Sequence, residues 1–311
     1  VISKAGTGAL ALSGASTFTN GFNLDAGSLI FGVSTTGTLP AVTNGPVGTG
    51  TLTIAGGTTV LSSNNFTVGN ATTVNGDFTF GGVTSVNNLT LSGAMNLGAT
   101  GRTLTVTSPA VTSTISGAIT STATGIALTK VGAGTLILSS ASNNFAGAAV
   151  AVTGGILKNG VNNAVPAASP VTVSAGAGYD LNGFDQTTDT LTGLGFVTNS
   201  ANSAKTLTLG GVATNVTSTL DTTLTDNILA QATSRLNLTK VGTGSLTLSG
   251  ASTSTGASTA AARRRARPSS DPGRPRSSTT QSAACSPSHA TAAATSGAWA
   301  MTKRSVPAFA S

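Results

Sequence analysis

Few side chains in this sequence could do chemistry, and most of those are aspartates. Asp180, Asp185 and Asp189 form the densest acidic group. Two or three convergent carboxylates can hold Ca²⁺ or run acid and base steps on a glycan. Spacings of five and four residues do not show that their oxygens converge, so the expected role is that of corner or solvent-facing aspartates, and no catalytic, cofactor-binding or metal residue is assigned. A nucleophilic triad needs a base beside its serine or cysteine, whereas the single histidine, His289, and the single cysteine, Cys285, both lie in the last part of the chain. Glutamate is absent. The Gly-x-Gly pairs at 6/8, 132/134 and 242/244 each lead into a strand-like run rather than a helix N-terminus, so they read as turns and not as phosphate loops. The calcium-binding Gly-Gly-x-Gly-x-Asp phrase does not occur.

The formal charge of +7 belongs to one end of the chain. Through Ser258 seven Lys and Arg face seven Asp; beyond it eight Lys and Arg face Asp271 alone. Arg263 to Arg267, with Arg274 and Arg276, could neutralise phosphates, but the body before them carries no net charge and is not expected to bind nucleic acid. It also has no thiol for a disulfide staple, and no stretch reaches the roughly 18 apolar residues that span a bilayer. No basic n-region or apolar signal core opens the sequence, so an export signal of the full protein is expected outside this chain.

What must position these residues is a repeat. Lys4-Ala5-Gly6-Thr7-Gly8-Ala9-Leu10-Ala11-Leu12-Ser13 returns as Lys130-Val131-Gly132-Ala133-Gly134-Thr135-Leu136-Ile137-Leu138-Ser139 and again from Lys240 to Ser249. The lysines are 126 and 110 residues apart, which suits six and five coils of about 21 to 22 residues. Thr or Ser alternates with Leu52/Ile54, Leu104/Val106, Val171/Val173, Leu207/Leu209 and Leu246/Leu248, so each strand has one apolar and one polar face. Parallel strands stacked one per coil bury one face of every strand, while a flat antiparallel sandwich would alternate in the same way. Asn-Gly and Asp-Gly do not recur regularly between the strands as hairpin turns would, which favours the stack. Asparagine pairs at 64/65, 87/88, 143/144 and 162/163 read as rung corners, where Asn tolerates the left-handed conformation and can stack its amides.

On the Leu-Thr-Lys-Val-Gly-x-Gly-Thr/Ser-Leu-x-Leu-Ser pattern of 128–139 and 238–249, and on Tyr179-Asp180-Leu181-Asn182-Gly183-Phe184-Asp185-Gln186-Thr187, the chain resembles the autotransporter-associated or passenger-associated transport repeats. The resemblance covers most of residues 1–258. It implies an all-β fold, a single-stranded right-handed parallel β-helix, exported through the outer membrane as a cell-surface stalk or adhesin without catalysis. It also implies partners: an outer-membrane translocator barrel outside this chain, and host-cell, matrix or glycan surfaces. No series of alternating ten-residue barrel strands follows residue 258. Residues 259–311 open inside a repeat with an Ala, Arg, Pro and Ser composition. They read as the product of a reading-frame shift, or else as a natural disordered tail. The alternative function is a carbohydrate-active β-helix enzyme using Asp180, Asp185 or Asp189; a basic-tailed binder of nucleic acid or membrane is the third.

Overall fold

Alternating residues make a short strand two-faced, and the apolar faces are covered only when many such strands stack. In the computed structural model every regular element among the described residues is a strand. The structure describes residues 1–37, 41–145, 147–210, 218–226, 233–242 and 244–261, together with the backbone of 290–295 and 298–303. Successive coils stack as a β-solenoid of about 11 turns.

A full coil lays one strand on each of three faces. Ile2–Lys4, Phe22–Leu24, Leu52–Ile54, Thr72–Val74, Met95–Asn96 and Ile119–Thr120 form the ladder of the first face. The second face is a nine-stranded sheet running from Ala9–Leu12 to Leu191–Thr192, and the third an eight-stranded sheet from Phe66–Val68 to Thr223–Leu224. Further along, Gln186–Thr188, Ala204–Leu209, Arg235–Val241 and Ser258–Ala261 resume the first face as a separate four-stranded sheet. Ser218–Leu220 and Leu246–Leu248 resume the second. All these pairings are parallel, for example Leu52 beside Phe22 and Leu104 beside Phe78, which rules out the sandwich.

The core is one continuous column. Leu52, Ile54, Leu104, Val106, Leu136, Leu138 and Leu207 are completely buried, with Leu209 and Leu246 nearly so and Leu248 partly covered at the far end. Each such side chain contributes about 1.5–3 kcal/mol by leaving water, and parallel stacking repeats that gain at every rung.

Two expectations about the repeat need correction. The coils do not share one length: Gly178 pairs with Phe196 across a short coil, whereas Ala204 pairs with Arg235 across a much longer one. Lys4 on the first face and Lys130 on the second are therefore five coils and one face apart rather than six coils. The asparagine pairs do stand at corners, but they do not stack amide on amide. Asn65 Oδ1 accepts the Asn88 N–H at 2.8 Å, and Asn88 Oδ1 accepts the Thr112 N–H at 2.7 Å, so these two side chains take up main-chain donors of the next coil. Among these pairs only Asn163 has a positive φ, 52°.

At the C-terminal end the strand Ser258–Ala261 pairs with Leu238–Val241, so the parallel ladder crosses the expected domain boundary at 258. The backbone of Ala290–Thr295 and Ala298–Lys303 forms an antiparallel pair, and the first of these lies against Leu246–Thr247. The basic run Arg263 to Arg267, with Arg274, Arg276, Cys285 and His289, lies outside the described residues.

Candidate functional site

The three candidate aspartates occupy different stations on the coil. Asp180 ends the strand Gly178–Asp180 on the third face, Asp185 precedes Gln186–Thr188, and Asp189 follows it. Asp180 is buried and fully engaged. Its Oδ2 lies 3.0 Å from Lys158 Nζ and accepts the Ser200 hydroxyl at 2.6 Å, while Oδ1 accepts the N–H groups of Asn182 at 2.8 Å and Ser200 at 2.9 Å. Lys158 also donates to Ser200 Oγ at 3.3 Å. With its lone pairs taken up by a cation and three donors, this carboxylate ties three successive coils together.

Asp185 is exposed and accepts the Thr206 N–H at 2.8 Å. Asp77 does the same for Thr103 at 2.8 Å, and Asp226 accepts N–H groups from Leu236 at 2.8 Å and Thr255 at 2.7 Å. The acids thus work as the asparagines do, catching main-chain donors where a corner interrupts the ladder. Among the described residues no group of three or more His, Cys, Asp or Glu side chains could hold a metal ion. At Asp226 burial opposes ionisation. Hydrogen bonds from the Thr255 hydroxyl, the Leu236 and Thr255 amides and the Ser254 hydroxyl outweigh it and hold the carboxyl below its ordinary range.

The repeated lysine has a role that its spacing alone did not disclose. In each copy the strand turns a corner just after the lysine, and the side chain folds back inside it. Lys130 Nζ donates to the carbonyl oxygens of Val131 at 2.9 Å, Gly132 at 2.9 Å and, on the following coil, Gly154 at 3.0 Å. Lys4 repeats the arrangement with Ala5 at 3.0 Å, Gly6 at 2.6 Å and Ala26 of the next coil at 3.0 Å. Lys240 donates to Val241 at 2.5 Å and Gly242 at 3.5 Å. Lys130 is 1% exposed and Lys240 3%. Burial lowers the Lys130 ammonium to a pKa of about 8 and lowers that of Lys240 as well. The ammonium has three donors for the three carbonyls that a tight corner points inward.

A second polar cluster, which sequence spacing gave no means of finding, crosses the core next to Asp180. Tyr179 OH donates to Asn159 Oδ1 at 2.9 Å, Asn159 Nδ2 to Gln186 Oε1 at 3.2 Å, and Gln186 Nε2 to the Val165 carbonyl at 2.7 Å. Burial, against the bond to Asn159 and with the Asp180 charge, pushes the Tyr179 phenol far above its usual range, so it stays neutral. These partners sit 20 to 27 residues apart, a full coil in sequence but one rung in space.

What faces outward is threonine. On the second face Thr59, Thr79 and Thr105 form one column, and Thr103, Thr129, Ala151, Thr172 and Thr192 a second. Thr67, Thr90 and Thr114 line the third face, and Thr187, Thr208, Thr239 and Thr259 the resumed first. Adjacent rungs touch through their hydroxyls at Thr172 and Thr192, 3.0 Å apart. Rungs at the usual strand separation of about 4.8 Å make these columns regular arrays of uncharged donors and acceptors.

Residues 2–31, 128–158 and 238–262 match the family model described as the passenger-associated-transport-repeat. The three matches coincide with the three lysine corners. No curated protein and no solved structure matches the chain.

Proposed function

Since the chain is built on three passenger-associated transport repeats, we propose that it is the stalk of an exported bacterial surface protein, which acts by reach and lateral adhesion and not by catalysis. The observation that supports this reading best is the set of outward threonine columns. They repeat one weak polar contact along the rod, and multivalent engagement raises avidity by roughly 10² to 10⁴ without a tight single site. Its partners are a translocator barrel outside this chain during export, and cell, matrix or glycan surfaces afterwards. The aspartates serve the wall of the solenoid, and the body, with no net charge, has no electrostatic hold on nucleic acid.

Beads coated with the protein are expected to adhere to cells or immobilised glycans far more tightly than the monomer binds. Replacing outward threonines of one column by serine or lysine is expected to weaken that adhesion with the fold unchanged. Adhesion that is indifferent to the columns would defeat the adhesive reading. Polysaccharide turnover that disappears in Asp185→Asn or Asp189→Asn would establish an enzyme instead.

A further inference from the structure

Five asparagines are followed by glycine, at 20/21, 44/45, 75/76, 159/160 and 182/183. Such a pair can close on itself, because glycine has no Cβ to keep its amide nitrogen away from the asparagine side-chain carbon. Closure needs two freedoms at once. The asparagine side chain must be able to turn back over the chain, and the glycine N–H must not be held by an acceptor.

Three of the pairs lack them. The Gly45 N–H donates to the Ser16 carbonyl at 3.0 Å, and the Gly160 N–H to that of Leu138 at 2.8 Å. Asn159 is also buried, with its amide held between Tyr179 and Gln186. At the last pair Asn182 Nδ2 donates to the Asn159 carbonyl at 2.8 Å, and the Gly183 N–H to Asn199 Oδ1 at 2.9 Å.

The other two pairs are open. Asn20 and Asn75 are exposed. Among the described residues neither side chain has a hydrogen-bond partner, and neither do the N–H groups of Gly21 and Gly76. Both pairs stand at corners: Asn20-Gly21 leads into Phe22–Leu24, and Asn75-Gly76 turns the chain from Thr72–Val74 to Phe78–Phe80. The wall holds them by other atoms, the Gly21 carbonyl accepting the Ile2 N–H at 3.2 Å and the Asn75 N–H donating to the Ile54 carbonyl at 2.8 Å. The ladder is thus kept while the groups that would react are left to solvent.

We propose that Asn20 and Asn75 are sites of spontaneous deamidation, from which the fold shields Asn44, Asn159 and Asn182. At Asn75, hydroxide takes the Gly76 N–H proton and the nitrogen bonds to Asn75 Cγ. The Cγ–Nδ2 bond then breaks, and ammonia leaves with a proton from water. A water molecule opens the cyclic imide at either carbonyl, giving aspartate or isoaspartate, so the residue loses ammonia and gains water with no change of oxidation state. Both sites lie where seven Lys and Arg balance seven Asp, so conversion leaves the body with two surplus negative charges. Isoaspartate also lengthens the main chain by a carbon at a tightly stacked corner, where a Cβ on Gly76 would stand 2.5 Å from Gly56 Cα. This inference does not depend on the adhesive reading.

The test incubates the full chain in mildly alkaline buffer, folded and again unfolded in guanidinium chloride, and maps both by peptide mass spectrometry with enzymatic labelling of isoaspartate. In the folded chain Asn20 and Asn75 are expected to convert at least about tenfold faster than the three closed sites, which react only through local opening. In the unfolded chain the five rates converge, since all share the same following residue. Isoaspartate is expected beside aspartate at both open sites, because the imide opens in two ways. Equal rates at all five sites of the folded chain would overturn the proposal, as would inert Asn20 and Asn75 while the unfolded chain reacts. A lag at only one of the two removes that site, and aspartate without isoaspartate removes the ring closure by glycine.

Discussion

The corners at Lys130 and at Asn65 both tie one coil to the next through a side chain, from opposite sides of the wall and with opposite polarity. At Lys130 a buried cation gives three protons to three inward carbonyls. At Asn65 an exposed amide oxygen takes one amide proton from the next coil. The geometry is comparable and the cost of losing it is not. An exposed amide left unpaired turns to water, whereas half-buried carbonyls that face a buried side chain have less access to a substitute partner. Of these two side chains, the charged one stands at the inner corner and the neutral one at the outer.

The largest effect that tests this contrast is on the core side of the third face. Leu138→Asp is expected to cost more than about 4 kcal/mol in urea denaturation by burying an unpaired charge, whereas Thr114→Asp on the outer face of the same sheet costs less than about 0.5 kcal/mol. Equal costs would mean that the wall has no inside. Next comes Lys130→Met, expected to cost roughly 3 kcal/mol because it orphans three carbonyls.

The pH dependence of the same variant sharpens the point. Lys130 is held near 8 in the folded chain against 10.5 ordinarily. Below 8 both states carry the charge and the folded state bears its burial. Between 8 and 10.5 the folded protein has shed the proton that the unfolded chain keeps, so the unfolded state binds more protons and stability rises with pH. That rise is expected in the parent and reduced in Lys130→Met, where Lys240, whose pKa burial also lowers, still contributes. Asp226 acts in the opposite range: with its folded pKa depressed, its contribution is complete above the ordinary carboxylate value and is lost as pH falls through the folded one. Asp226→Asn is expected to flatten the acid limb of the stability curve.

Asn65→Ala should then cost about 0.5–1 kcal/mol, the net contribution of one hydrogen bond. A loss as large as that of Lys130→Met would erase the distinction between the two corners. Removing residues 263–311 is expected to leave exchange in the coils up to residue 226 unchanged, because solenoid coils contact only their neighbours.

The alternation of Leu, Val and Ile with Thr made the inward set readable, since period 2 with one apolar parity has one parallel outcome once many copies stack. Leu52, Ile54, Leu104 and Val106 fell where that rule puts them. The coil count did not follow from the lysine spacings. Coils differ widely in length, as the pairings of Gly178 with Phe196 and of Ala204 with Arg235 show, because turns can lengthen without disturbing the ladder. The aspartates were visible only as charges. What decides the role of Asp180 is Lys158 one rung before it and Ser200 one rung after, each a full coil away along the chain. Nor could spacing tell that Asn88 bonds a main-chain N–H instead of another amide, since both arrangements need the same residue at the same corner.

The lysine corner turns the chain from the first face to the second in the first copy, and from the second to the third in the second. The repeat is therefore tied to a bend of the chain and not to one fixed face, and each matched stretch runs on into the following coil. A gene that duplicates bends can lengthen its product by thirds of a revolution, and each such step rotates every later surface column about the long axis. Two variants of nearly equal length would then present their threonine columns towards different sides, and orientation becomes something that insertion alone can alter.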